Sequence, residues 1–178
     1  MKKLGLLFVI FILSACTAKY DVIRHDDKQL SINDSYYIST PKDGKYNGEN
    51  YINSGEMTRD ALFNELSILG VKSEKADKTL SKNDSLLSAK QQGYDILIYP
   101  TILHWEDRAT EWSGLRDRAK IKLELIDTNT EVTIDNTVFN LVGTWWTFGG
   151  LHPQDMVDEA VKEYFQKVFN LDKATRNK

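Results

Sequence analysis

The stretch YDILIYPTIL, residues 94–103, decides the fold, because it is the strongest strand signal in the chain. Its apolar run over residues 96–99 is nearly continuous, which is typical of a central strand covered on at least one face. Pro100 cannot donate a ladder hydrogen bond, so it indicates a bulge or a locally unpaired amide. We therefore place a central strand here and assign the remaining elements around it.

Strands and helices alternate before the central strand, whereas antiparallel strands follow it. A β-branched and aromatic run over 36–40 predicts a strand, residues 57–69 predict a helix that ends at Gly70, and a short strand follows at 71–73. A second helix is predicted from Ser81 to Gly93.

After the central strand, residues 120–127 and 131–142 predict two strands of an antiparallel meander, and residues 153–169 predict an amphipathic helix. This order predicts an α+β fold: a two-layer sandwich with a mixed sheet of about five strands, an antiparallel C-terminal meander and three helices.

The N-terminus has the layout of a bacterial lipoprotein signal. Lys2 and Lys3 precede an apolar run over 4–12, and the sequence Leu-Ser-Ala-Cys ends at Cys16. A membrane-spanning helix needs about 20 apolar residues, so a signal cleaved before Cys16 fits better than an uncleaved anchor. Acyl chains such as palmitate on Cys16 would then hold the protein on a membrane.

These assignments predict the domain organisation. Residues 1–15 form the signal peptide, and 16–34 form the lipidated cysteine with a flexible tether that lifts the domain off the membrane and could hold a short strand in its second half. Residues 35–170 form a single globular domain, and 171–178 form a frayed tail. Lipoproteins retained in the inner membrane usually carry an aspartate directly after the lipidated cysteine, whereas this chain has Thr17. The expected location is therefore the periplasmic face of the outer membrane.

Charge and cysteine content exclude several classes of function. Removal of residues 1–15 takes away two lysines and no acid, which leaves 21 basic against 26 acidic residues and a formal charge of -5. Such a surface favours neither nucleic acid nor anionic lipid. Cys16 is the only cysteine, so its acylation leaves no thiol for a disulfide, a metal site or a nucleophile.

Two stretches, 104–114 and 143–153, hold all four tryptophans and two of the three histidines. The predicted up-down-up course of the last three strands makes both stretches leave the same end of the sheet. We expect them to form one candidate interaction surface. Its members are His104, Trp105, Glu106, Asp107, Arg108, Glu111, Trp112, Trp145, Trp146, Phe148 and His152.

Four interpretations of this surface compete. Its tryptophans could cap the core, recognise an envelope protein, stack on peptidoglycan or another glycan, or accompany catalytic or metal-binding groups. A hydrolase that uses Glu106 and Asp107 is disfavoured, because neighbouring side chains on an extended segment point apart. His104 and His152 lack a short-range ligand spacing, and Ser113 lacks the nucleophile-elbow motif. We therefore predict no catalytic residue, no metal and no cofactor.

Residues 94–114, 145–150 and 152–155 together resemble a family of bacterial lipoproteins catalogued as domain of unknown function 4823. The resemblance implies a lipoprotein of the cell envelope with no assigned activity, catalytic residue or cofactor. With the preceding observations it predicts a membrane-anchored, non-enzymatic module that binds an unknown envelope protein, with peptidoglycan binding as the alternative.

Overall fold

The computed structural model describes residues 19–23, 30–108, 116–143 and 152–171, with the backbone alone described for 19–23. Its elements, in chain order, are β1 (Lys19–Ile23), β2 (Tyr36–Thr40), β3 (Lys45–Tyr46), β4 (Glu49–Asn50), α1 (Ser54–Ile68), β5 (Ser73–Thr79), α2 (Lys82–Gln91), β6 (Ile96–Glu106), β7 (Arg118–Asp127), β8 (Thr133–Val142) and α3 (Pro153–Val168). No helix in these ranges is long and apolar enough to cross a membrane.

The main sheet is mixed, and its strand order is β1-β8-β7-β6-β2-β5. Strand β2 lies between β5 and β6 and is parallel to both. From β6 onward the pairs β6/β7, β7/β8 and β8/β1 are all antiparallel. The predicted α+β class and the predicted C-terminal meander are confirmed, and β1 brings the sheet to six strands.

Strand β1 corrects the predicted tether. Its residues pair along β8, with Lys19 opposite Asn140 and Ile23 opposite Asn136. Leu30 is buried in the main core as well. A flexible tether over 16–34 is therefore wrong for residues 19–23 and for Leu30. Tyr20, Val22 and Ile23 have high β-propensity, but the run is short and lies among polar residues of mixed charge, so no sustained apolar period marks it as a strand.

One face of the sheet carries the main core. Ile96 and Ile98 of β6 point to the same face because side chains alternate along a strand, and both are fully buried beneath α1 and α3. The predicted amphipathic character of α3 is confirmed, since the residues that form its apolar stripe are all buried; they are Met156, Ala160, Tyr164 and Val168. This face and its two helices form the predicted two layers.

The opposite face is covered in part by α2. Tyr37 and Leu97 alternate with the main-core residues of their strands, and they pack with Ala89 of α2 and with Ile126. The Ser81 hydroxyl caps α2 by accepting a hydrogen bond from the Asp84 N–H. Helix α2 therefore adds a partial third layer to the expected two.

A buried polar group joins α3 to the sheet and generates a test of the core. The Tyr164 hydroxyl donates to Asp135 Oδ2 at 2.9 Å, and the Thr137 hydroxyl donates to Asp135 Oδ1 at 2.8 Å. We expect Tyr164→Phe to lower the free energy of unfolding by about 2 kcal/mol, because a buried carboxylate loses a donor. Urea denaturation measures this change.

The matched control is Tyr99→Phe, which removes the same group from a partly buried ring on the other face. Its expected effect is within about 0.5 kcal/mol. Equal effects of the two substitutions would contradict a special role for the Tyr164 hydroxyl.

Candidate functional site

The two aromatic stretches leave the same end of the sheet, as predicted. Glu106 at the end of β6 pairs with Arg118 at the start of β7, and Arg118 pairs with Val142 at the end of β8. We call this end, where residues 106, 118 and 142 lie side by side, the loop end. Five members of the candidate surface lie outside the described residues: Glu111, Trp112, Trp145, Trp146 and Phe148.

Trp105 lies in the main core and is only 2% exposed. The β6/β7 register shifts between Ile102 and His104, so Leu103 is an extra residue on β6. Such a bulge reverses the face to which the following side chains point. Trp105 therefore joins Ile102 on the core face, and a side chain at Gly44 would collide with its Cβ atom. This member of the predicted surface serves packing.

Glu106 is also buried, at 1% exposure. Its carboxylate forms an ion pair with the Arg108 guanidinium, and its Oε2 lies 3.2 Å from His104 Nε2. The Tyr46 ring packs edge-on against His104 and lies beneath the Arg108 guanidinium. Burial lowers the pKa of His104, with further contributions from Arg118 and Arg108.

Asp107 belongs to a different cluster from Glu106, so the two adjacent acids do not face each other. Asp107 Oδ1 lies 3.1 Å from His152 Nδ1, while Glu106 is engaged by Arg108. The pair expected of a glycoside hydrolase, with two carboxylates across a cleft, is not formed by these residues. This arrangement matches the sequence-based argument that neighbouring side chains on a strand diverge.

Three side chains meet at the loop end: Asp107, Asp117 and His152. One ligand atom of each lies within 4.8 Å of the others. They come from three places, since Asp107 follows β6, Asp117 precedes β7 and His152 is the residue before α3. The Arg108 N–H donates to Asp117 Oδ1 at 2.7 Å and so fixes the position of that carboxylate.

The pKa values of Asp117 and His152 are both raised, but for different reasons. Burial raises the pKa of Asp117, and the nearby Asp107 raises it further. The hydrogen bond with Asp107 raises the pKa of His152, which is half-exposed. Asp107 and His152 belong to the predicted surface, whereas Asp117 was missed. No local motif marks Asp117, because its partner His152 is distant along the chain.

A family model described as a domain of unknown function, DUF4823, matches residues 28–168. The match covers most of the chain, so the protein belongs to this family and the resemblance drawn from its motifs is confirmed. A search of curated proteins gave no match.

Solved structures with a similar fold have low sequence identity. The PelC dodecamer from Paraburkholderia phytofirmans is 12% identical with a TM-score of 0.63, and the match covers 84% of this chain and 97% of that chain. The lipoprotein GNA1162 from Neisseria meningitidis is 12% identical with a TM-score of 0.51, covering 77% and 99% of the two chains. At such identities the likeness concerns the fold alone.

The contact between Asp107 and His152 predicts an unusual titration. In the native protein we expect His152 to titrate above its ordinary value, and Asp107→Asn to lower its pKa, because the neutral amide stabilises the imidazolium less. NMR shifts of the histidine rings as a function of pH measure this difference. The associated stabilisation is present at acidic pH and is lost as the pH rises through the raised pKa.

His104 serves as the internal control, because its pKa is lowered by burial and not by this pair. It should keep its low value in Asp107→Asn. An unchanged His152 titration in that variant would show that the hydrogen bond does not set the pKa.

Proposed function

We propose that this member of the DUF4823 family is a non-catalytic lipoprotein of the bacterial cell envelope, anchored by acyl chains on Cys16, which recognises an envelope partner through its loop end. The signal pattern that ends at Cys16 supports the anchor. Thr17 favours the outer membrane over the inner membrane. Glu106 is buried and paired with Arg108, which argues against the hydrolase that would use Glu106 and Asp107.

The observation that carries the proposal is the register of β1. Lys19 lies opposite Asn140, only two residues before the end of β8 at Val142. Strand β1 therefore begins near the loop end and runs away from it. Three residue steps from Cys16 to Lys19 span at most about 10 Å. An anchor on Cys16 would hold the loop end close to the membrane rather than far from it.

This orientation gives the aromatic stretches a physical role. Tryptophan favours the membrane–water interface, where its ring is partly apolar and its N–H can be hydrated. Three tryptophans adjoin the strands that end or begin at the loop end. In sequence, Trp112 lies between β6 and β7, and Trp145 and Trp146 come after β8. The acidic net charge makes attraction to anionic lipid weak. We therefore propose a partner that lies at the membrane surface, contacted through aromatic side chains.

The anchor is tested by cell fractionation. We expect the native protein in the outer-membrane fraction and Cys16→Ser in the periplasmic soluble fraction, because a thioether to lipid requires the thiol. Thr17→Asp is the sorting control and should move the protein to the inner membrane. Retention of Cys16→Ser with membranes would contradict the proposed anchor.

The orientation is tested with two matched valines. Val142 is the last residue of β8, at the loop end, and is 52% exposed. Val132 directly precedes the first residue of β8, at the opposite end of the sheet, and is 51% exposed. A fluorophore on a cysteine at each position, in lipidated protein on vesicles, reports proximity to brominated lipid. We expect strong quenching at Val142→Cys and weak quenching at Val132→Cys.

Photo-crosslinking from the same two positions in cells tests recognition. Protein adducts formed from position 142 and absent from position 132 are expected. Equal quenching at both positions would overturn the orientation, and adducts from position 132 alone would overturn the choice of recognition surface.

A further inference from the structure

We propose that Asp107, Asp117 and His152 form a binding site for a divalent transition-metal ion, with Zn²⁺ as the representative ion. One imidazole nitrogen and two carboxylate oxygens are ligands that such ions accept. The ligand atoms already lie within 4.8 Å of one another. Two carboxylates and a neutral imidazole would balance the charge of one divalent ion.

Asp117 supplies the observation that points to a cation. Its side chain is 1% exposed, and its Oδ2 has no hydrogen-bond partner among the residues that the structure describes. A buried carboxylate with one unpartnered oxygen is costly unless a cation neutralises it. The charge of Arg108 acts on Asp117, but its guanidinium is paired with Glu106. Asp117, whose carboxylate belongs to the cluster, therefore keeps one buried oxygen without a hydrogen bond from the described residues.

The distances suit a site that closes on the ion. Ligand atoms at about 2.1 Å from one Zn²⁺ ion lie roughly 3 to 4 Å apart, so small side-chain rotations would complete the coordination. His152 and Asp107 are half-exposed, which gives an ion access from solvent and leaves coordination positions for water. Their mutual contact at 3.1 Å would be replaced by two bonds to the ion.

The surroundings of the cluster support this role. The Arg108 N–H holds Asp117 Oδ1 at 2.7 Å, as outer groups commonly orient metal ligands. His152 precedes α3, whose N-terminal dipole opposes a cation, and the two carboxylates offset that effect. The ion would join Asp107 and Asp117, which lie on either side of segment 109–115 in sequence, to His152, which follows segment 144–151. It would thereby fasten the two aromatic stretches to each other at their bases.

The test uses the lipidated full-length protein in detergent, without a histidine tag. Calorimetric titration with ZnCl₂ and absorption spectroscopy with CoCl₂ should each show one bound ion per chain. Asp107→Asn, Asp117→Asn and His152→Ala should each weaken binding by at least about tenfold, since even an outer-shell change has an effect of that size. Acidification should also weaken binding, because His152 must be neutral to ligate.

Glu131→Gln is the matched control. It removes the same charge at the other end of the sheet, where Glu131 pairs with Lys90, and it should bind Zn²⁺ like the native chain. At one fixed Zn²⁺ concentration, the melting temperature should rise equally in the native protein and in Glu131→Gln, and should rise less in His152→Ala.

If Asp117→Asn fails to fold, the variants at the more exposed Asp107 and His152 still test the site. Native affinity in both Asp107→Asn and His152→Ala would overturn the site. Binding of CaCl₂ with no response to ZnCl₂ or CoCl₂ would overturn the choice of a transition metal. The absence of stoichiometric binding to the native chain would overturn the proposal entirely.

Discussion

The extra residue at Leu103 is the local constraint on which the loop end depends. Strand side chains alternate between faces, so an unbroken β6 would place His104 and Glu106 on the core face and Trp105 on the other. The bulge reverses that assignment. Trp105 then packs into the main core, where its Cβ atom lies close to Gly44. His104 and Glu106, the polar residues on either side of Trp105, then lie close together, and Glu106 forms an ion pair with Arg108.

The strongly apolar elements could be predicted from the sequence, because their patterns reflect burial directly. Residues 96–98 on β6 and the stripe on α3 are buried as their spacing indicates. Strand β5 is longer than the predicted 71–73, since it occupies Ser73–Thr79. It lies at the sheet edge and buries mainly Ala76, so its sequence carries little hydrophobic signal. Strand β1 was missed for another reason: its five residues are too short a run, among polar neighbours, to show a sustained apolar period.

The candidate site shows a different limit. That both aromatic stretches leave one end of the sheet followed from strand order alone, and the register of β6, β7 and β8 confirms it. Which side chains of those stretches face outward depended on a bulge at Leu103, three residues after Pro100, where the sequence indicates a bulge or an unpaired amide. Trp105 and Glu106 thus proved to be interior residues. Asp117 was hidden because its neighbours in space come from separate elements, and single-sequence spacing detects only ligands that share one element.

The pairing of β1 along β8 also determines how the domain would carry mechanical load. A lipid on Cys16 would pull on β1 from the loop end, along the axis of the strand. The hydrogen bonds of an antiparallel pair run perpendicular to the strands, so all five residue pairs between β1 and β8 would be strained together in shear. A strand loaded in this way resists far more force than one peeled away pair by pair. The edge strand that the sequence concealed would then be the mechanical coupling between the envelope and the folded domain.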